Sequence, residues 1–202
     1  MANKIIAIGV LVIMFCSCNN NSNSQQGNQT KRGCELIEEA YKQGNWDLII
    51  SVGDTLIGDD DPQNISIAYA EALAAKGNFE KAINVLNKKI AQTPDDYYLF
   101  QTKGNVFTVA EKYDSAIVNY DIVISMKPTY ARPYIYEGEI FEVLGNKQKA
   151  VSSYLGAMRL FAGHNVIEET LLYCDRILSL DPTNAEAKEY IEQINKQSRS
   201  DR

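Results

Sequence analysis

The sequence has little histidine, tryptophan or proline, and this scarcity limits the chemistry that it can perform. Its 202 residues include 1 His, 1 Trp and 5 Pro. The single histidine, His164, has no Cys or Asp at a spacing that would let them share a metal ion. No glycine-rich phosphate-binding motif is present. We therefore expect no catalytic centre, no metal site and no cofactor.

Positive charge is also scarce. The chain has 20 Lys and Arg residues against 26 Asp and Glu residues, which gives a formal net charge of −6 at pH 7. The basic residues form no continuous stripe that would attract a phosphate backbone. We therefore expect no nucleic-acid partner.

Sustained alternation of apolar and polar residues, the pattern of a half-buried strand, is missing as well. Apolar residues instead recur at helical spacing, as in Ala82, Ile83, Leu86 and Ile90. The pattern predicts an all-α protein.

The middle of the chain, residues 63–162, repeats itself at a shift of 34 residues. Positions that match in three copies include small residues (Ala70, Gly104 and Gly138), alanines (Ala82, Ala116 and Ala150) and larger apolar residues (Leu73, Phe107 and Phe141; Leu86, Tyr120 and Tyr154). Self-similarity at such a period is typical of solenoids built from stacked supersecondary units.

Each copy predicts a helix, a tight turn, a second helix and a stop. Gly77 and Gly145 stand at the turns, where a positive φ ends a helix. Pro94 and Pro128, also 34 residues apart, close two of the copies because proline cannot continue a helix interior. The small residues predict close approach of neighbouring helices.

This pattern resembles the tetratricopeptide (TPR) repeat, in the small residue of the first helix, the aromatic after the turn (Phe79, Tyr113), the alanine of the second helix and the closing proline. The third copy departs from it, with Lys147 at the aromatic position and Ala162 at the proline position. The resemblance implies an α-solenoid of antiparallel helix pairs in a right-handed superhelix, with about five hairpins. We assign a degenerate repeat at 34–62, full repeats at 63–96, 97–130 and 131–162, and a C-terminal capping hairpin at 166–198.

In the TPR family, the first helix of each repeat lines a concave groove that binds a partner protein or an extended peptide. Transferred position by position, the resemblance implies a partner-binding groove formed by Asn64, Glu71, Tyr98, Gln101, Asn105, Arg132, Tyr136 and Glu139. Gln101 and Tyr136 replace basic residues of the family's clamp for C-terminal carboxylates, so a partner with aromatic or basic side chains is expected. The alternative is that the tyrosines pack between helices.

The N-terminus has the features of a bacterial lipoprotein signal peptide over residues 1–17. Lys4 precedes an apolar run from Ile5 to Phe15, which is too short to span a bilayer comfortably. Cys18 follows the small Ser17 and is the expected site of lipid attachment, with Cys16 as the alternative. An ordinary cleaved signal peptide without lipid is also compatible with the pattern.

Residues 18–33 form an Asn-, Ser- and Gln-rich segment without an apolar side chain after Cys18, which predicts a disordered tether. Towards the other end, the second-last predicted helix should turn Ile167, Leu172 and Ile177 inward. The two remaining cysteines, Cys34 and Cys174, lie near opposite ends of the array, and we expect both to be buried thiols.

Taken together, the sequence predicts a non-enzymatic scaffold or adaptor that is anchored to a membrane of the bacterial cell envelope. The absence of an acidic cluster after Cys18 favours the periplasmic side of the outer membrane. The alternative is a structural self-association module that forms a homodimer without a peptide ligand.

Overall fold

The computed structural model describes residues 25–58 and 63–200, and these form ten helices with no strand among them. The predicted signal peptide, Cys16 and Cys18 lie outside the described residues. The helices are α1 Gln25–Lys42, α2 Trp46–Leu56, α3 Gln63–Ala75, α4 Phe79–Gln92, α5 Tyr97–Val109, α6 Tyr113–Met126, α7 Ala131–Val143, α8 Lys147–Gly163, α9 Ile167–Leu180 and α10 Ala185–Ser200. The predicted all-α class with successive helix pairs is confirmed.

The helices form two compact units that divide between Lys112 and Tyr113. In the N-terminal unit, α1 packs on α2 and α3 packs on α4, while α5 lies against α3 and α4. One core cluster includes Cys34, Ile49 and Ile65 and the other includes Leu73 and Leu86. Each fully buried aliphatic side chain stabilises the fold by about 1.5–3 kcal/mol relative to exposure.

In the C-terminal unit, α7 and α8 form one antiparallel pair and α9 and α10 another, and α6 packs on α7. The core contains Ala150, Tyr154, Met158, Cys174 and Ile177. The positions of the matched alanines explain this arrangement, because Ala150, like Ala82 and Ala116, is fully buried where helices meet closely.

The turns follow the sequence pattern. Gly44, Gly77 and Gly145 have φ values of 64°, 79° and 71°, a region that suits glycine because it has no Cβ. The Asn45 and Asn146 side chains that follow accept hydrogen bonds from the backbone N–H groups of Leu48 and Lys149 and cap α2 and α8.

Two expectations require correction. The helix α1 begins at Gln25, so residues 25–33 of the predicted tether are helical. Gly33 packs against Leu56, and a helix nucleated by such packing extends at low cost through Gln, Lys and Arg, which are good helix formers. Secondly, Ile167 and Leu172 are exposed, Leu172 by 60%, whereas Ile177 is buried as predicted.

A three-helix linkage occurs in both units. In the C-terminal unit, the Tyr154 hydroxyl of α8 donates to Oε1 of Glu142 on α7 at 2.7 Å, and Nε of Arg176 on α9 donates to the same oxygen at 2.6 Å. In the N-terminal unit, Tyr69 of α3 donates to Asp54 of α2, which also pairs with Lys81 of α4 at 2.8 Å. Each carboxylate therefore links its own helix to two others.

Candidate functional site

Glu71, a predicted groove residue on α3, is buried inside the N-terminal unit and is only 6% exposed. Its Oε2 accepts a hydrogen bond of 2.7 Å from the hydroxyl of Tyr41 on α1. Burial raises the pKa of the Glu71 carboxyl to about 7, and the Tyr41 hydrogen bond opposes that rise. Glu71 therefore joins α1 to α3 and does not present its carboxyl to a partner.

The α5 candidates differ in accessibility. Gln101 is 2% exposed, and its Oε1 has no hydrogen-bond partner within the described residues. Tyr98 and Asn105 are partly exposed, as is Asn64 on α3. The rings of Tyr97 and Tyr98 lie 4.1 Å apart between centroids. In the N-terminal unit, the accessible candidates are therefore Asn64, Tyr98 and Asn105.

In the C-terminal unit, the three candidates share one face of α7. Arg132, Tyr136 and Glu139 are spaced by four and three residues, which aligns them along a helix, and all are partly exposed. Burial raises the pKa of Glu139, while the neighbouring Arg176 lowers it and Glu142 raises it. Val143 continues the same row and is exposed.

The neighbouring helix α9 adds residues that the sequence pattern did not reveal. Tyr173 is close enough to Glu139 and Tyr136 for their charges to affect its pKa. That pKa rises to about 12, mainly because the side chain is buried and secondly because Glu139 is negatively charged. Arg176 pairs with Glu142 of α7. The exposed Leu172 precedes Arg176 by one helical turn. We call this surface, formed by Tyr136, Glu139, Leu172, Tyr173 and Arg176, the α7–α9 face.

The length of α8 explains why these residues were missed. The helix has 17 residues, whereas α4 and α6 have 14 each. A shift of 34 residues therefore loses register after α8. A shift longer by these three residues aligns Tyr136 with Tyr173 and Glu139 with Arg176. The repeat pattern therefore continues into α9, but at this longer spacing.

The chemistry available on these faces is that of recognition. They offer aromatic rings, carboxylates and a guanidinium, which bind side chains and backbone groups of proteins. Across the part of the chain that the structure describes, no group of three or more His, Cys, Asp or Glu side chains could hold a metal ion. Within residues 25–58 and 63–200, no helix is both long and apolar enough to cross a membrane.

Solved structures share this fold. MamA from Desulfovibrio magneticus RS-1 aligns with a TM-score of 0.63 at 17% identity, covering 87% of this chain and 98% of that one. TTC0263, a thermophilic TPR protein of Thermus thermophilus, aligns with a TM-score of 0.53 at 15% identity, covering 84% of this chain and 98% of that one. The chain thus has the TPR fold, and the resemblance drawn from its 34-residue period is confirmed.

SycD, the type III secretion translocator chaperone of Yersinia enterocolitica, also has a similar structure. It aligns with a TM-score of 0.51 at 20% identity, covering 61% of this chain and 86% of that one.

Among curated proteins, the chain is similar to the human protein O-mannosyl-transferase TMTC1. The two are 27% identical over 104 residues, which amount to 50% of this chain and 12% of that protein. The chain thus spans a small part of the relative's length. No family model matches the chain.

Proposed function

We propose that the protein is a non-enzymatic scaffold that binds a partner protein or extended peptide through the first-helix faces of its repeats. The observation that carries this proposal is the α7–α9 face, where Glu139 and Tyr136 of α7 lie near Tyr173 of α9, and Leu172, the residue before Tyr173, is exposed. Tyrosine offers a large contact area at low entropic cost, and a surface with an exposed leucine and carboxylates suits a segment with both apolar and basic side chains. In the N-terminal unit, Asn64, Tyr98 and Asn105 supply a separate accessible set.

One structurally similar protein, SycD, supports a protein-binding role. SycD is described as a translocator chaperone, which is a protein that acts on other proteins. The shared fold makes a similar type of activity a reasonable proposal for this chain, while the identity of its partner rests on its own side chains.

We further propose that the scaffold is lipid-anchored through Cys18 in the bacterial cell envelope, on the periplasmic side of the outer membrane. The proposal rests on the apolar run from Ile5 to Phe15 followed by Ser17 and Cys18. A cysteine that carries more than one acyl chain meets the requirement for stable anchoring.

Site-specific photo-crosslinking in the native envelope tests the binding role. A photoreactive phenylalanine analogue replaces Tyr136 in one strain and the exposed Val118 of α6 in a control strain. We expect one discrete adduct from position 136 that is absent from position 118. The adduct should not form when Glu139→Lys is also present. In a separate affinity capture, the double variant Tyr98→Ala with Arg132→Ala should no longer retain the partner. Retention of the partner by both variants would show that the first-helix faces do not bind it.

A homodimer is the second candidate, and the exposed apolar side chains of Val118, Val143 and Leu172 favour it. Apolar surface on a second copy would cover them. Light scattering of the chain across a concentration series tests this: a mass that stays monomeric at every concentration rejects self-association. Should a dimer form, Leu172→Glu is expected to dissociate it.

A further inference from the structure

The turn between α7 and α8 presents two neighbouring apolar side chains to solvent. Val143, the last residue of α7, is 54% exposed, and Leu144, which caps that helix, is 50% exposed. Lys147 and Lys149, at the start of α8, are exposed as well. We call these four residues the α7–α8 tip. Single exposed apolar residues are common on proteins, whereas an apolar patch with a polar rim is the pattern of a contact site.

Hydrogen bonds and a ring contact hold the tip together. The backbone N–H of Asn146 donates to the carbonyl oxygen of Phe141 at 2.8 Å, which closes the turn. The Asn146 side chain accepts from the backbone N–H of Lys149 at 3.1 Å and caps α8. The ammonium of Lys149 lies 5.1 Å from the centre of the Phe141 ring. The turn is therefore closed by its own groups, and Val143 and Leu144 stay at its surface.

The charge along this part of the chain is positive. Residues 143–167 include three basic residues and no Asp or Glu, in a chain whose net charge is −6. Neither Lys147 nor Lys149 takes part in any of the described salt bridges. The acid that directly precedes the tip, Glu142, pairs with Arg176 at 2.6 Å. The two lysines of the tip are thus available to an anionic partner.

The lysines of two earlier turns are engaged within the protein. At the α1–α2 turn, Lys42 pairs with Glu38 at 2.9 Å. At the α3–α4 turn, Lys76 pairs with Asp47 at 2.8 Å. The α7–α8 tip differs from these turns because its lysines have no such carboxylate and stand beside two exposed apolar side chains.

We propose that the α7–α8 tip docks on the surface of a membrane that contains anionic lipids. Val143 and Leu144 enter the interfacial region, and the two lysines bind the lipid phosphate groups. This contact is additional to partner binding by the α7–α9 face, and it does not depend on lipid attachment at Cys18.

A lipid surface suits the tip better than a protein surface does. A stable protein interface takes about 20–30 residues from each partner, whereas the exposed turn covers only residues 143–149. A membrane needs no matching shape, and its anionic headgroups complement the lysines. A second copy of the same tip is a poor partner, because its lysines would meet charges of the same sign.

Quenching of tryptophan fluorescence by brominated lipids tests the proposal in the full chain. Leu144→Trp supplies the probe, in a Trp46→Phe background that removes the single natural tryptophan. The control probe is Val118→Trp in the same background, since Val118 is 57% exposed but has Asp114 and Asp121 as helical neighbours. The vesicles contain brominated phosphatidylcholine, either alone or with an equal part of phosphatidylglycerol. Both proteins have the same N-terminal segment, so a difference between the probes reports the tip.

The tryptophan at position 144 should be quenched on vesicles with phosphatidylglycerol, and the one at position 118 should not. An anionic surface favours binding by about fivefold for each nearby lysine. Lys147→Gln with Lys149→Gln should therefore lower the ratio of docked to undocked protein about 25-fold and restore emission. Lys188→Gln with Lys196→Gln, on the exposed side of α10, makes the same change in total charge and should leave the quenching intact.

The proposal is overturned by an unquenched tryptophan at position 144, by equal quenching at position 118, or by equal quenching without phosphatidylglycerol. Loss of quenching in Lys188→Gln with Lys196→Gln also overturns it, because total charge would then control docking. Photo-crosslinking from position 144 in the native envelope identifies the other occupant. A protein adduct there, together with an unquenched probe on vesicles, would overturn the membrane contact and assign the tip to an acidic protein.

Discussion

The ring of Tyr154 occupies the space that a side chain at position 138 would fill. A Cβ added to Gly138 would lie 2.5 Å from Cε1 and 2.7 Å from Cδ1 of that ring. Gly138 belongs to α7 and Tyr154 to α8, so the missing side chain lets the two helices pack closely around a buried aromatic ring.

Gly138→Ala should therefore destabilise the protein. Overpacking at such a contact costs about 1–3 kcal/mol, which exceeds the gain of about 0.5–1 kcal/mol that alanine brings to a helix interior. Gly163→Ala is the control, since Gly163 is the last residue of α8 and has no atom within 4 Å of an added Cβ. Urea denaturation should give a lower midpoint for Gly138→Ala alone, and equal midpoints would contradict the contact.

The buried Glu71 makes stability depend on pH. Its pKa rises from 4.5 in the unfolded chain to about 7 in the folded chain because burial disfavours the charged form. The folded state then binds more protons between these values, so the contribution of Glu71 to stability is fully present below pH 4.5 and is lost as pH rises through 7. For a change of this size the loss amounts to about 3 kcal/mol.

Glu71→Gln should remove that component of the pH dependence, because glutamine stays neutral and still accepts from Tyr41. Unfolding free energies of both proteins from pH 5 to pH 9 check this, with the exposed Glu192→Gln as control. The wild-type protein should lose stability relative to Glu71→Gln with rising pH. Parallel profiles would argue against a buried neutral carboxyl.

The hydroxyl of Tyr154 should contribute separately from its ring. Tyr154→Phe retains the packing on Gly138 and removes the 2.7 Å hydrogen bond to Glu142, at a cost of about 1.5 kcal/mol. Arg176→Ala removes a pair whose arginine is half exposed, and we expect only about 0.2–1 kcal/mol. Denaturation of the two single variants and the double variant measures both effects and their coupling. A larger cost for Arg176→Ala would reverse this ranking.

Cys174 should resist alkylation in the folded protein. Its side chain is fully buried and burial raises the pKa of the thiol to about 11, so at pH 8 only about one in a thousand is the reactive thiolate. Mass spectrometry after iodoacetamide treatment should show labelling at least about 100-fold slower than in denaturant. Fast native labelling would indicate that α9 opens readily.

The lipid anchor is tested by metabolic labelling with a fatty-acid probe. Cys18→Ser should abolish labelling and release the protein from the membrane, while Cys16→Ser serves as the control and should retain both. Labelling that persists in Cys18→Ser and disappears in Cys16→Ser would assign the anchor to Cys16. Loss in neither variant would mean that the chain is not lipidated at these cysteines.

Much of the fold was predictable because the repeat encodes it locally. The register of Ala82, Ala116 and Ala150 marks the close helix contacts, and all three are fully buried. Gly77 and Gly145 mark the turns, and both adopt positive φ. These features depend on neighbours within one hairpin, which a period in the sequence reveals directly.

Other features depend on contacts that the period does not record. Glu71 and Gln101 match accessible positions of the TPR family, yet neighbouring helices cover both in this chain. Leu172 looked like a core residue because it is apolar, yet it lies five residues before the buried Ile177, which places the two about 140° apart around α9. The early start of α1 at Gln25 likewise depends on packing further along that helix, since residues 25–30 have no apolar side chain of their own.

The shared carboxylates of Glu142 and Asp54 have a consequence for local opening. When α9 detaches, Glu142 loses its guanidinium while remaining bonded to Tyr154, and when α8 detaches it loses the hydroxyl as well as the covering ring. Departure of one helix thus weakens the hold of the next, which makes single-helix fraying unfavourable. Amide hydrogens of α7, α8 and α9 should consequently exchange with solvent as one cooperative block, and those of α2, α3 and α4 as another.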